Sequence, residues 1–317
     1  MTTTTTQTGL VGFLCEVTDQ PVSFDQCLAC ARKGAPDCPM VPAAIHAAIH
    51  SIRDPQYAQK MAEEAGAKIG FSVTELLNCP RQTRLKIEVP FYEKPSAFYR
   101  MNRGTGYHHL LSRYDGGICE KTLTWKFIFR GRSILLVGTP DLVELTPDGW
   151  FITDYKVTGK PPFGKKVTLC ARCEGETYEG DDGLTCRECG AILRSKSEIL
   201  REYRPPQARS SHIMQVNLYA LLIEKNAEKL AAMVGMSKPE KFAGAEVVYF
   251  GEKSPVRCPV KLDRDAAMTF LKRSLAALIA DDLPPVLSDV DELWRCDYCP
   301  VRTICEQIHG GPVGKTQ

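Results

Sequence analysis

The fourteen cysteines limit what this chain can fold into more than any other feature. Spacing sorts twelve of them into three sets of four, and Cys119 and Cys258 are left over as buried free thiols. Cysteines that fall in Cys-x-x-Cys pairs, in a chain with no secretory signature, point to metal rather than disulfides. The clearest set is Cys170, Cys173, Cys186 and Cys189, two pairs separated by twelve residues. Two thiolate pairs on two tight knuckles close a tetrahedron around Zn²⁺, and Gly190 after the second pair permits a knuckle with positive φ. The intervening residues from Glu174 to Gly183 are too polar to form a core, so metal must hold this ribbon together.

The other two sets are less regular. Cys296, Cys299 and Cys305 make an incomplete site near the carboxyl end, and Cys79, within Asn78-Cys79-Pro80-Arg81, is the natural fourth ligand. On spacing alone such a set holds either an iron-sulfur cluster or zinc, and either occupant clamps two ends of a domain together. Cys15, Cys27, Cys30 and Cys38 form a looser set, read as a zinc module in which Pro21 to Asp25 supplies a turn and a short strand. The competing reading is a loosely folded leader with incidental thiols.

A length of 317 residues suffices for one large domain or two ordinary ones. The net charge of +2 means that a nucleic-acid partner must be held by local basic patches. No stretch reaches membrane-spanning length, and the Thr-rich start lacks a signal-peptide pattern. The expectation is a soluble cytoplasmic protein, or one of the host cytoplasm if the chain is viral, with Thr2 to Thr8 frayed.

Chemistry concentrates between Gly138 and Lys156. Leu135, Leu136, Val137, Leu142 and Val143 mark one strand, Pro147-Asp148-Gly149 supplies the turn, and Trp150 to Val157 marks the return strand. Asp141 and Asp154 then face each other across a hairpin, with Lys156 beside them. Two hard carboxylates and an ammonium are what a divalent-metal phosphodiesterase needs. An acid at a strand end is more often merely solvated, so the hairpin alone does not decide the matter.

Around it, Ala43 to Ser51 and Pro55 to Lys68 read as helices, Ser72 to Leu77 opens another that ends at Cys79-Pro80, and Gly104 starts the helix carrying His108. Lys121 to Phe129 reads as a strand. The helix from Ser210 to Glu224 places Gln215 and Tyr219 on one face. Ala245 to Phe250 is a strand, and Asp263 caps a helix reaching Ala280. The pattern predicts an α/β layer with the site at the edge of a mixed sheet.

In this order, Gly104-Thr105-x-x-His108, Gly138-x-x-Asp141, Asp154-x-Lys156 and Gln215-x-x-x-Tyr219 resemble the RecB-like exonucleases of the PD-(D/E)xK superfamily, over about Ser72 to Cys305. Its AddB-type and CRISPR-associated branches carry one early cysteine and a late Cys-x-x-Cys-x5-Cys group that bind a 4Fe-4S cluster, places filled here by Cys79, Cys296, Cys299 and Cys305. The resemblance implies a restriction-endonuclease-like mixed sheet flanked by helices. Residues 42–167 and 195–309 would form the nuclease domain, 168–194 an inserted zinc ribbon, 1–41 a cysteine-rich zinc module and 310–317 a flexible tail. Family members typically lack the ribbon and the amino-terminal module. The resemblance further implies Mg²⁺ or Mn²⁺ held by His108, Asp141, Asp154 and the Tyr155 carbonyl. Lys156 would act on the attacking water, and Gln215 and Tyr219 on the scissile phosphate or the lysine. The expected activity is cleavage of single-stranded DNA or DNA ends in recombination, repair, or phage or CRISPR-type processing, with a helicase or recombination protein as partner. No phosphate loop of the form Gly-x-x-x-x-Gly-Lys-Ser/Thr is present, so no motor is expected in this chain. The alternative is a DNA-binding scaffold subunit with an idle nuclease site.

Overall fold

The computed structural model describes residues 9–35, 37–52, 54, 56–180, 183–252, 254–288 and 292–313; the Thr-rich start lies outside them. The first part of the chain runs through β1 (Gly9–Leu14), β2 (Pro21–Val22), α1 (Phe24–Lys33), α2 (Pro42–His50), α3 (Tyr57–Glu64), β3 (Ile69–Ser72), α4 (Val73–Leu77), α5 (Pro80–Glu88), β4 (Pro90–Glu93) and α6 (Pro95–Leu111). Next come β5 (Ile118–Cys119), β6 (Leu123–Phe129), β7 (Arg132–Gly138), β8 (Leu142–Thr146) and β9 (Gly149–Val157). An excursion of β10 (Lys165–Cys170), β11 (Thr177–Gly180), β12 (Gly183–Cys186), β13 (Ile192–Leu193) and β14 (Ile199–Arg204) follows. The chain closes with α7 (Ser210–Met233), β15 (Phe242–Phe250), β16 (Val256–Pro259), α8 (Arg264–Leu278) and α9 (Arg302–His309).

The central sheet has five strands in the order β16-β15-β9-β8-β5. β9 pairs parallel with β15 and antiparallel with β8, so the sheet is mixed and the strand carrying Asp154 and Lys156 lies at its centre. This corrects the expected edge position: β15, though distant in sequence, covers the open side of β9. A second sheet, β3-β7-β6, stands beside it. Leu135 to Val143 is therefore not one strand. Pro140 has no amide hydrogen to give to a ladder, so the run breaks after Gly138 and its halves enter different sheets.

The long helix α7 packs on β6, β9 and β15. Leu218, Leu221, Leu222 and Ile223 are buried in the main core with Ile134, Ile152 and Val247, each such side chain stabilising the fold by roughly 1.5–3 kcal/mol. Asn217 ties α8 to it by accepting from the Asp263 amide at 2.6 Å. Asp263 caps α8 as the sequence suggests, accepting from the Ala266 amide.

Several boundaries differ from expectation. The helix expected from Ser72 does stop before Cys79-Pro80, as α4, but Pro80 then opens a further helix, α5, because at the first helical position its missing N–H is no loss. α6 likewise starts at Pro95, well before Gly104. The amino-terminal residues are not a separate module: β1 pairs parallel with β4, and Phe13, Ala31 and Ile45 share a core with Phe98 of α6. The carboxyl end also packs further than the expected tail boundary, since Val313 is buried with Leu85, Phe91 and Val301; residues 314–317 lie outside the described set.

Candidate functional site

One step beyond the last β8–β9 pair, Leu142 opposite Thr153, the register sets Asp141 opposite Asp154. Asp141 is buried, and its Oδ2 accepts from the Tyr155 amide at 2.6 Å, which pins the carboxylate across the hairpin. Asp154 is fully buried, and neither of its oxygens has a hydrogen-bond partner. Lys156 Nζ lies 2.6 Å from Asp154 Oδ2, a buried ion pair. Burial pushes the Asp154 carboxyl up, Lys156 opposes that and Asp141 adds to it, and the net direction is upward. Burial works against the Lys156 ammonium, but the two aspartates more than offset it.

His108 reaches the same place from α6. Its Nδ1 is 3.1 Å from Asp141 Oδ1 and 3.0 Å from Glu120 Oε1. These two carboxylates push the imidazole up to about 10, which measures how strongly the pocket attracts positive charge. One ligand atom each from His108, Glu120 and Asp141 can be chosen so that all lie within 4.8 Å of one another. Glu120 escaped the sequence reading. It directly follows β5, with a φ of 48° and its amide bonded to the Asp141 carbonyl at 3.1 Å, and no spacing rule marks it.

The remaining candidates converge from α7. Gln215 Nε2 donates to Tyr219 Oη at 2.9 Å, so the pair does share a face. Tyr219 is buried, which raises its phenol, and the Asp154 and Asp141 charges act on it in the same sense. The close fit explains Gly138: a Cβ there would come within 2.5 Å of Leu222 and 3.1 Å of the Tyr219 ring. The Tyr155 ring meets Phe250 edge-on, with ring centroids 5.8 Å apart.

The cysteine sets differ in closeness. Cys170, Cys173, Cys186 and Cys189 gather with all Sγ atoms within 4.8 Å; Cys173 and Cys186 are 3.4 Å apart and Cys170 and Cys189 3.9 Å. A tetrahedral ion with bonds of 2.3 Å needs about 3.8 Å between sulfurs, so the cluster has the size to hold a metal. Gly190 has the positive φ the sequence suggested, 68°. Cys79, Cys296, Cys299 and Cys305 line one pocket with Arg81 and Val313, but no three of their sulfurs gather within 4.8 Å. Burial, with Cys79, Cys296 and Cys305 beside it, pushes the Cys299 thiol up to about 11. Cys15, Cys27, Cys30 and Cys38 are near enough for the other three to add to the burial that pushes Cys27 to about 11, without forming a tight cluster.

No family model and no curated protein matches the chain. A solved structure described as SSO0001 aligns over 82% of this chain and 96% of its own, at 14% identity and a TM-score of 0.40. No helix among the described residues is long and apolar enough to cross a membrane.

Proposed function

We propose that the chain is a metal-dependent deoxyribonuclease of the RecB-like type, with a restriction-endonuclease-like core. The observation that carries this reading is Asp154, fully buried with only the Lys156 ammonium against it among the described residues, beside Asp141 and the His108–Glu120 pair. Three carboxylates face one lysine, an excess of negative charge that a hard divalent cation offsets. Oxygen donors with one imidazole suit Mg²⁺ or Mn²⁺. Asp141, Asp154, His108 and the Tyr155 carbonyl would hold the ion, and Glu120 joins them as a direct or water-bridged ligand. Such an ion lowers the pKa of bound water and offsets charge building on the phosphate. The Lys156 ammonium, held by Asp154, orients the attacking water, and the Gln215–Tyr219 pair contacts the phosphate.

The ribbon cysteines would hold Zn²⁺, and Cys79, Cys296, Cys299 and Cys305 a 4Fe-4S cluster. The wider separation of the second set fits a cluster better than a single ion. Such a cluster supplies four iron–thiolate bonds and serves as a clamp, since hydrolysis transfers no electrons.

The test is cleavage of end-labelled single-stranded and duplex DNA with Mg²⁺ or Mn²⁺. Asp154→Ala and Lys156→Ala should each lower the rate at least a hundredfold while leaving zinc and iron content unchanged. Wild-type turnover in the Lys156→Ala protein would refute the assignment, and Glu120→Gln should raise the Mn²⁺ concentration needed for half-maximal cleavage in the same assay.

A further inference from the structure

The catalytic reading leaves most of the excursion between β9 and α7 without a role. β10 and β14 form an antiparallel arm that leaves shortly after Lys156 and returns through Pro205 and Pro206 into the helix carrying Gln215 and Tyr219. Directly opposed residues of such a pair share a side, and successive residues alternate. Lys166 is opposite Tyr203 and Thr168 is opposite Arg201, so these four lie on one side of the arm. The other side carries buried Val167 and Leu169, and Arg204 ion-paired to Glu176 of the ribbon.

The first side is open. Tyr203 is 62% exposed, and Phe163, just before the arm, is 82% exposed. The Tyr203 phenol lies against Gly164, where a Cβ would come within 2.1 Å of its hydroxyl. Lys166 and Arg201 are exposed and make no ion pair among the described residues. Two arginines of the ribbon are otherwise engaged: Arg172 is paired with Glu198 at 3.0 Å, and Arg187 lies 5.3 Å from the centroid of the Tyr178 ring.

We propose that Phe163, Lys166, Arg201 and Tyr203 form a face that binds single-stranded DNA and leads it to the metal site, which deepens the nuclease reading and rests on it for the strand's destination. Free cations on a two-stranded arm meet phosphates, and exposed rings between them offer stacking surfaces for bases. The same rings gain nothing from a duplex, whose base faces are already stacked. This selects an unpaired strand as the occupant.

The experiment measures fluorescence anisotropy of a labelled oligodeoxythymidine without added Mg²⁺ or Mn²⁺, beside Mn²⁺-dependent hydrolysis of bis(p-nitrophenyl) phosphate, a small diester that needs only the metal site. The combined variant Lys166→Ala, Arg201→Ala, Tyr203→Ala should bind the strand about tenfold or more weakly. Its salt slope should be shallower by about 1.4, the share of two phosphate contacts. Hydrolysis of the small diester and the zinc content should not change. A conservative variant, Lys166→Arg with Tyr203→Phe, should bind as wild type, which separates lost contacts from lost folding. Wild-type strand affinity in the triple variant, or equal competition by a duplex of the same length, would overturn the proposal. If wild type binds the strand through this face but hydrolyses neither DNA nor the small diester, the nuclease reading fails and the binding face stands.

Discussion

His212 stands in the first turn of α7. The Arg209 amide donates to the Tyr249 hydroxyl at 3.0 Å, leaving that hydroxyl's proton for His212 Nδ1 at 2.8 Å. Burial first, then the Lys156 and Arg209 charges, press the imidazole down to about 3 from its usual 6.5. Between those values the unfolded chain binds a proton that the folded chain does not, so stability must fall as pH drops below 6.5. Above that point this histidine contributes no slope. Urea unfolding at pH 7, 6 and 5 should show His212→Gln losing less stability on acidification than wild type. The difference should be at most about 1.4 kcal/mol per pH unit; parallel slopes would refute it. His212 was not visible in the sequence, because its role depends on Tyr249 of a strand that pairs beside Lys156. Asp141, Asp154, His108 and the Gln215–Tyr219 pair were visible because their order and residue types carry the pattern. Glu120 was not, since only its backbone bond to Asp141 brings it to the pocket.

Among the elements, the two knuckles of the ribbon invite comparison. Gly190 follows the second pair with φ 68° and its amide bonds the Cys186 carbonyl at 3.1 Å. Glu174 takes the equivalent place after the first pair, with φ 58° and its amide 2.8 Å from the Cys170 carbonyl. A side chain in this left-handed conformation costs roughly 1–2 kcal/mol, and the exposed Glu174 carboxylate makes no ion pair among the described residues that would offset it. Glu174→Gly should therefore stabilise the ribbon by about 1 kcal/mol, read as slower zinc transfer to a colorimetric chelator. Faster transfer would show that the glutamate contributes something beyond backbone geometry. The ribbon was legible because four thiols at fixed spacing determine it. Helix starts were less so: Pro80 read only as a stop and Gly104 as the start of the His108 helix, whereas Pro80 and Pro95 are the first-turn residues of α5 and α6. The break between β7 and β8 depended likewise on which sheet each half joins.

At the scale of the molecule, the cysteine pocket collects segments that lie far apart in sequence. Cys79 precedes α5, while Cys296, Cys299 and Cys305 come from the end of the chain. Arg81 bridges them, donating from Nε to Cys305 Sγ at 3.2 Å and from a terminal nitrogen to the Pro284 carbonyl at 2.9 Å. Arg295 donates back to the Leu77 carbonyl at 2.9 Å. The associated core is small, built on Leu85, Phe91, Val301, Cys305 and Val313, with Leu10 of β1 packed against it. So few apolar groups hold two ends of a chain only weakly, and a shared metal group would supply the rest. The ribbon has its own core of Cys170, Cys186 and Leu193, which shares no buried residue with that pocket. The two centres should therefore fail independently. Cys79→Ser should remove the iron and its visible absorption and open the chain beyond about Leu283 to limited proteolysis, while one zinc per chain stays bound. Cys186→Ser should release that zinc and leave the colour. The pairing of losses is decisive: if either substitution strips both metals, the clamp and the ribbon are one cooperative unit. A colourless wild type purified without oxygen, carrying zinc at both sites, would keep the clamp and replace its iron.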